Sequence, residues 1–189
     1  MNKTASDPNK PDEYGELALV GAANVGLVGP MRMLLAHGAE PGLADRFGWL
    51  PLSAAARRGN SDACACLLEA GAEVDMQAKD KTTALMWAAK QDHCETIKVL
   101  LRHGARLELS RTDPDSDDDD DDFEPEDALW FARRYKREAA ATLLAEIKEA
   151  GGWKRYDRGG GGGGGFLRIT LNFFSGKKSA KKKNVRSTI

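Results

Sequence analysis

The sequence predicts an all-α solenoid of short helix pairs stacked side by side. Two observations carry that expectation and a third limits its extent. Leu19, Ala22, Ala23, Leu34, Leu35, Gly38 and Ala39 recur 33 residues later as Leu52, Ala55, Ala56, Leu67, Leu68, Gly71 and Ala72. They recur again as Leu85, Ala88, Ala89, Leu100, Leu101, Gly104 and Ala105. A unit of this length cannot bury its own apolar face, so copies must stack. Within each unit the apolar residues fall at helical spacing, as Leu52, Ala55 and Ala56 do at i, i+3 and i+4. Third, a net charge of -1 over 189 residues conceals strong segregation. Asp113 to Asp127 holds eleven acidic residues and no basic one, and from Lys154 onward ten Lys or Arg face a single Asp. Blocks of like charge repel themselves and are expected to remain solvated and disordered.

Residues 1–11 are polar, mix both signs of charge and lack the apolar run of a targeting peptide, so they are expected to be disordered. The first repeat follows over 12–44. The longest uncharged stretch, Leu17 to Met31, is too short to span a membrane and contains Asn24 and Pro30. Repeat two occupies 45–77. Asp45-Arg46-Phe47-Gly48 is turn chemistry, and Pro51 stands at a helix start, where its missing N–H costs nothing. Gly59-Asn60 breaks the chain and Ser61 is the expected cap of a second helix, whose inner face is Cys64, Leu67 and Leu68. Gly71 ends that helix in the left-handed conformation. Repeat three, 78–110, copies this plan with Thr83 as cap.

A degenerate fourth repeat, about 122–150, follows an acidic insertion over about 112–126. Asp127-Ala128-Leu129-Trp130-Phe131-Ala132 aligns with Thr83 to Ala88 at an offset of 44, which is the repeat plus eleven residues. Asp127 is the expected cap, and Ala139 to Lys148 the second helix. Its charged outer positions suit a terminal repeat with one side in water.

These features resemble the ankyrin repeat. The residues that carry the resemblance are Gly48-x-x-Pro51-Leu52 with Ala55-Ala56, the Leu67-Leu68 pair, Gly71-Ala72-Glu73-Val74-Asp75, Thr83-Ala84-Leu85 with Ala88-Ala89, and Leu100-Leu101-x-x-Gly104-Ala105. Leu50 and Lys81 stand where the family has Thr and Gly, and no repeat has the His that usually follows the Leu. Those substitutions weaken local hydrogen bonding, so modest stability is expected. The resemblance implies an ankyrin-repeat domain over 12–150 that binds another protein without catalysis. It also implies a concave groove lined by the hairpin tips and the first helices. Carried over by position, the groove comprises Arg46, Phe47, Trp49, Arg57 and Arg58, then Lys79, Asp80, Thr82, Lys90 and Gln91, then Arg134 and Tyr135. Arg-rich and aromatic surfaces are typical of binding hot spots. The alternative is that Trp49 packs on a neighbouring hairpin and the cations are merely solvated. Trp87 and Trp130 read as packing. The acidic insertion leaves a hairpin tip, and two readings stand: Asp117 to Asp122 leans toward Arg46, Arg57, Arg58, Lys79 and Lys90 and screens them, or the run is a loose solvated loop.

Sites for other chemistry do not assemble. Asp113, Asp115, Asp117 and Glu124 fit a calcium-loop template, but Asp118 replaces the required Gly and a frame shifted by two residues fits equally well. Cys64 and Cys66 match Ile97 and Val99 one repeat later, and His93-Cys94 match Asn60-Ser61, so a zinc site is not expected. No nucleophile–base pair is evident. The reading is therefore no enzyme, no cofactor, no metal and no small-molecule substrate, in a chain expected to be monomeric. Three cysteines without a secretion signal suggest a reducing compartment, hence a cytoplasmic location, with a nuclear one compatible with the tail.

That tail begins after Gly151-Gly152-Trp153, where Trp153 and Tyr156 are placed to cover the end of the stack. A Gly-rich linker over 151–165 leads to a basic segment, 166–189, in which Leu167, Ile169, Leu171 and Phe173 alternate at strand period. Lys177, Lys178, Lys181, Lys182 and Lys183 suit nuclear import, nucleic-acid phosphates or an anionic membrane, or else form a solubilising basic end that pairs loosely with the aspartate loop. The alternative function is accordingly a nucleic-acid- or chromatin-associated regulator that uses this tail, with the repeats as adaptor.

Overall fold

The computed structural model describes residues 7–111 and 125–158. Most of the acidic run, the glycine tether and the lysine-rich tail lie outside the described residues. Among the described residues there are nine α-helices and no strand: α1 Ala18–Val25, α2 Val28–Ala36, α3 Pro51–Arg58, α4 Ser61–Glu69, α5 Ala84–Lys90, α6 Cys94–Arg102, α7 Ala128–Arg134, α8 Glu138–Glu149 and α9 Trp153–Arg158. Helices α1, α3, α5 and α7 pack side by side as an inner row, and α2, α4, α6 and α8 form a second row behind it. This is the all-α solenoid that the 33-residue echo predicts.

Alanine makes the inner row possible. Ala23, Ala55, Ala56, Ala88, Ala89 and Ala132 are completely buried where neighbouring inner helices meet. Behind them Leu52, Leu85, Leu67, Ile97, Leu100 and Leu144 fill one continuous core between the rows. A side chain fully buried this way contributes roughly 1.5–3 kcal/mol. Position 23/56/89 recurs in the fourth repeat as Arg133, which is exposed. The seam therefore ends at α7, and the fourth repeat closes the stack with a charged side. The short helix α9 packs on α8 and α6, with the Arg102 guanidinium 5.7 Å from the Trp153 ring.

The hairpins that join successive repeats share one backbone bond. Asp12, Asp45 and Ala78 each donate N–H to the carbonyl four residues on, Glu16, Trp49 and Thr82, at 3.0, 3.0 and 2.9 Å. In the fourth repeat Arg111 donates to Glu126 at 3.3 Å, with an ion pair between the same two side chains at 3.4 Å. The eleven additional residues thus enter at the fourth hairpin. Gly15 and Gly48 hold the turn at φ 80° and 86°, and Lys81 takes the same left-handed region at 60°. Both glycines also lie under a side chain of the next repeat. A Cβ on Gly15 would sit 1.7 Å from Arg46 Cδ, and one on Gly48 2.9 Å from Lys79 Cδ.

A second register of left-handed residues ends the inner helices: Gly26, Gly59, Asp92 and Lys136 at φ 84°, 76°, 66° and 55°. The residue after it in the next repeat reaches back to clamp the preceding inner helix. Asn60 Nδ2 donates to the Ala23 and Asn24 carbonyls at 3.1 and 3.2 Å, His93 Nε2 to Arg57 at 3.2 Å, and Arg137 Nε to Lys90 at 2.9 Å. These carbonyls lie in the last turn of a helix, where backbone N–H partners run out. Three residue types perform one task because each carries an N–H at a similar reach.

Two local expectations need correction. Ser61 does not cap α4; it is the first helical residue, and Asn60 holds the cap position without a side-chain cap bond because its amide faces the preceding repeat. Residues 7–11 are not apart from the stack. Asn9 Nδ2 donates to the Gly38 carbonyl at 3.0 Å and its Oδ1 accepts the Glu40 N–H at 2.8 Å. Asp75 repeats the second bond, accepting the Arg106 N–H at 3.0 Å. Thr83 and Asp127 do cap α5 and α7, accepting from Met86 and Trp130 N–H at 3.3 and 2.7 Å.

Candidate functional site

The hairpin tips and the exposed side of the inner row carry the residues singled out as a groove. Each tip projects the residue before the left-handed position, giving Tyr14, Phe47 and Asp80. Phe47 is 60% exposed and Tyr14 68%, against a core in which most apolar residues are below a tenth. The Arg46 guanidinium lies 5.0 Å from the Phe47 ring, its stem held on Gly15.

Behind the tips runs a row of aromatic rings capped by cations. The Trp49 and Trp87 rings meet at 5.1 Å, and Arg57 lies over Trp49 at 4.7 Å. Lys90 Nζ sits among three rings, 4.7 Å from Trp87, 4.6 Å from Tyr135 and 5.9 Å from Phe131. Such contacts contribute about 0.5–1 kcal/mol each at exposed sites. Arg58 Nε donates to Asn24 Oδ1 at 3.1 Å and Arg57 Nη2 to the same oxygen at 3.4 Å, joining repeats one and two. Trp49 packs against Trp87 of helix α5 rather than on a neighbouring hairpin, with Arg57 held over its ring. It is half-buried against Trp87 and beside Leu17, Val20 and Ala54, while Phe47 is exposed.

Thr82 is a correction. It is buried, its hydroxyl donating to Asp80 Oδ1 at 2.5 Å and accepting the Trp87 indole N–H at 3.0 Å, so it supports the groove without lining it. The remaining candidates, Arg46, Arg57, Arg58, Lys79, Lys90, Gln91, Arg134 and Tyr135, lie along one side of the inner row and its tips. Among the described residues none of the six cations in this set forms an ion pair. The pairs that are seen, such as Lys98–Glu95, Arg106–Asp75 and Lys148–Asp127, are all elsewhere. The tail residues Lys177, Lys178, Lys181, Lys182 and Lys183 lie outside the described residues.

Three copies of the family described as ankyrin repeats match residues 19–113. The chain is an ankyrin-repeat protein. No curated protein matches it as a relative. Ankyrin repeats are generally protein–protein interaction modules and typically non-catalytic. The family match stops at residue 113, so the fourth ankyrin repeat rests on geometry: the Arg111–Glu126 hairpin bond, the Asp127 cap and the clamp from Arg137.

Of the residues weighed for other chemistry, Asp113, Asp115, Asp117, Asp118 and Glu124 lie outside the described residues, and the cysteines and histidines have structural surroundings. Cys64 is fully buried between repeats, and burial pushes its thiol up to about 12. Burial, and then Asp92, also raise the Cys94 thiol. His93 is bonded to the Arg57 carbonyl, while His37 and His103 Nδ1 each meet a carbonyl of their own helix, Met33 at 2.7 Å and Val99 at 2.9 Å. No group of three His, Cys, Asp or Glu that could hold a metal occurs among the described residues. No helix there is long and apolar enough to cross a membrane. Trp87 packs as expected, against Trp49 and with its indole N–H on Thr82. It occupies the place of Ala54 in α3 and of Phe131 in α7, so this position is a methyl group in repeat two and an aromatic ring in repeats three and four.

Proposed function

We propose that this ankyrin stack is a noncatalytic adaptor that captures a partner protein in the groove along α3, α5 and α7. The observation that carries the proposal is the combination of exposed Phe47 with cations held over aromatic rings and paired with no carboxylate among the described residues. Arg with aromatic side chains is the composition enriched at the centres of interfaces. Cations already ordered by a ring lose less freedom when a partner docks, which favours affinity.

The test uses the full chain. Captured partners are compared for the unaltered protein, for Phe47→Ala, and for a chain in which the five tail lysines are replaced by Ala. Loss with Phe47→Ala and retention with the altered tail supports the groove. Retention with Phe47→Ala and loss with the altered tail refutes it in favour of the tail-dependent regulator. Phe47 is exposed, so unchanged thermal unfolding is expected in that variant and separates lost binding from lost folding.

A further inference from the structure

The inner helices repeat one cationic position. Arg57, Lys90 and Arg134 occupy it on α3, α5 and α7, three successive helices of the same row. Arg46 and Lys79 repeat a second position at the hairpin tips, and Arg58 lies beside the first. The one acidic side chain among the groove positions, Asp80, is turned into its own hairpin, where Oδ1 accepts both the Thr82 N–H at 3.1 Å and the Thr82 hydroxyl. Across repeats two to four these positions thus form a strip of like charge, whereas in repeat one the place of Arg46 and Lys79 is held by the exposed Glu13 and that of Arg57 by Asn24.

Resting on the groove reading above, we infer that the partner element is an extended acidic peptide that crosses the inner helices with carboxylates on every third residue. Packed helices lie about 8–10 Å apart, which is then the step between Arg57, Lys90 and Arg134. An extended chain advances about 3.3 Å per residue, so three residues cover about 10 Å. Side chains at i, i+3 and i+6 of such a peptide therefore fall in step with the three cations. Arg57 and Arg134 supply planar forks suited to a carboxylate.

Nucleic acid fits this surface less well. Sequence-tolerant strand binding relies on open aromatic faces for base stacking. Here Trp49 is covered by Arg57 and Trp87, and Lys90 lies between Trp87 and Tyr135. Trp49 and Trp87 are thus engaged with Arg57 and Lys90, both half-buried, while Arg46, Arg58, Lys79 and Arg134 are exposed beside Phe47 and Tyr135.

The test is a fluorescence-anisotropy titration of the full chain with four labelled probes. One is an eleven-residue Gly/Ala peptide with Glu on every third residue, and the second has the same composition with its glutamates contiguous. The third carries Lys in place of Glu, and the fourth is an oligothymidine of similar length. The series is repeated with Asp117 to Asp122 each replaced by Ser, so that any competition from the chain's own carboxylates is excluded. The spaced peptide is expected to bind at least fivefold more tightly than the contiguous one and the Lys peptide not at all. Arg134→Gln should weaken only the spaced peptide, by about two- to fivefold, the range of one exposed charge pair. Arg134 is exposed, so an unchanged thermal unfolding curve is the check on folding. Equal binding of the two glutamate peptides, preference for the oligonucleotide, or no binding by any probe to either chain overturns the inference. Each of those results leaves the Phe47→Ala comparison free to uphold the groove with a partner of different chemistry.

Discussion

Lys136→Gly should stabilise this protein, although it deletes a side chain and shortens a charged surface. Lys136 holds φ at 55° in the register where repeats one and two place Gly26 and Gly59. A residue with a Cβ pays roughly 1–2 kcal/mol for left-handed backbone, and glycine gives back about 0.5–1 kcal/mol of that through the freedom it loses on folding. The net gain is about 0.5–1 kcal/mol, equivalent to a Tm increase of about 1–4 °C for a chain of this size. The backbone bonds at the site remain available, because Lys136 N–H to Arg133 and Arg137 N–H to Ala132, at 3.1 and 2.8 Å, need no side chain at 136. Gly59→Ala is the converse experiment. It places a Cβ in the same strained region and 2.6 Å from His93 Nδ1, so the ring must move and its bond to Arg57 is disturbed. A loss of about 2 kcal/mol is expected, the sum of the strain and one hydrogen bond. Urea unfolding followed by circular dichroism at the helical band measures both. Destabilisation by Lys136→Gly, or indifference to Gly59→Ala, would show that the two positions are not equivalent and that the repeat register has been misassigned in the fourth unit.

Three further predictions follow from the same register. His93→Asn should fold with nearly unaltered stability, because Asn60 makes the corresponding clamp, whereas His93→Ala should lose about 1 kcal/mol in the same urea titration. Gly42 occupies the place held by Asn9 and Asp75, so Gly42→Asn should raise the urea midpoint by the equivalent of about 1 kcal/mol, by accepting the Glu73 N–H and by restricting the unfolded chain; the new Cβ would meet only the flexible Met76 tip, at 3.4 Å. Cys64 should make stability fall at alkaline pH. Its thiol is raised in the folded chain to about 12 from 9.0, so its contribution is complete below pH 9. Above that the unfolded thiol ionises first and stability drops by about 1.4 kcal/mol per pH unit. Urea midpoints at pH 8 and 10 should therefore differ more for the unaltered chain than for Cys64→Ala.

The repeat was legible because packing needs the same atoms in the same place each time. Ala56 and Ala89 had to be small, and Leu52 and Leu85 had to be apolar, so identity itself recorded the contact. The clamp was not legible, since Asn60, His93 and Arg137 share only an N–H at a given reach and look unrelated as letters. Nor was the fate of Thr82, where a polar residue beside exposed neighbours is drawn inward by Asp80 and the Trp87 indole. Ser61 misled for the opposite reason: a residue suited to capping stands one place past the cap. In the groove, charge could be read by position, but the ordering of Arg57 and Lys90 over rings depends on Trp49, Trp87 and Tyr135 arriving from three different repeats.

The central claim is that a partner protein lies along the inner row of this stack. The most direct measurement is a map of backbone amide shifts in isotope-labelled protein as captured partner is added. Perturbations should concentrate at residues 46–58, 79–91 and 134–135 and leave the outer faces of α2, α4 and α6 unchanged. Shifts confined to those outer helices, with the inner row undisturbed, would contradict it.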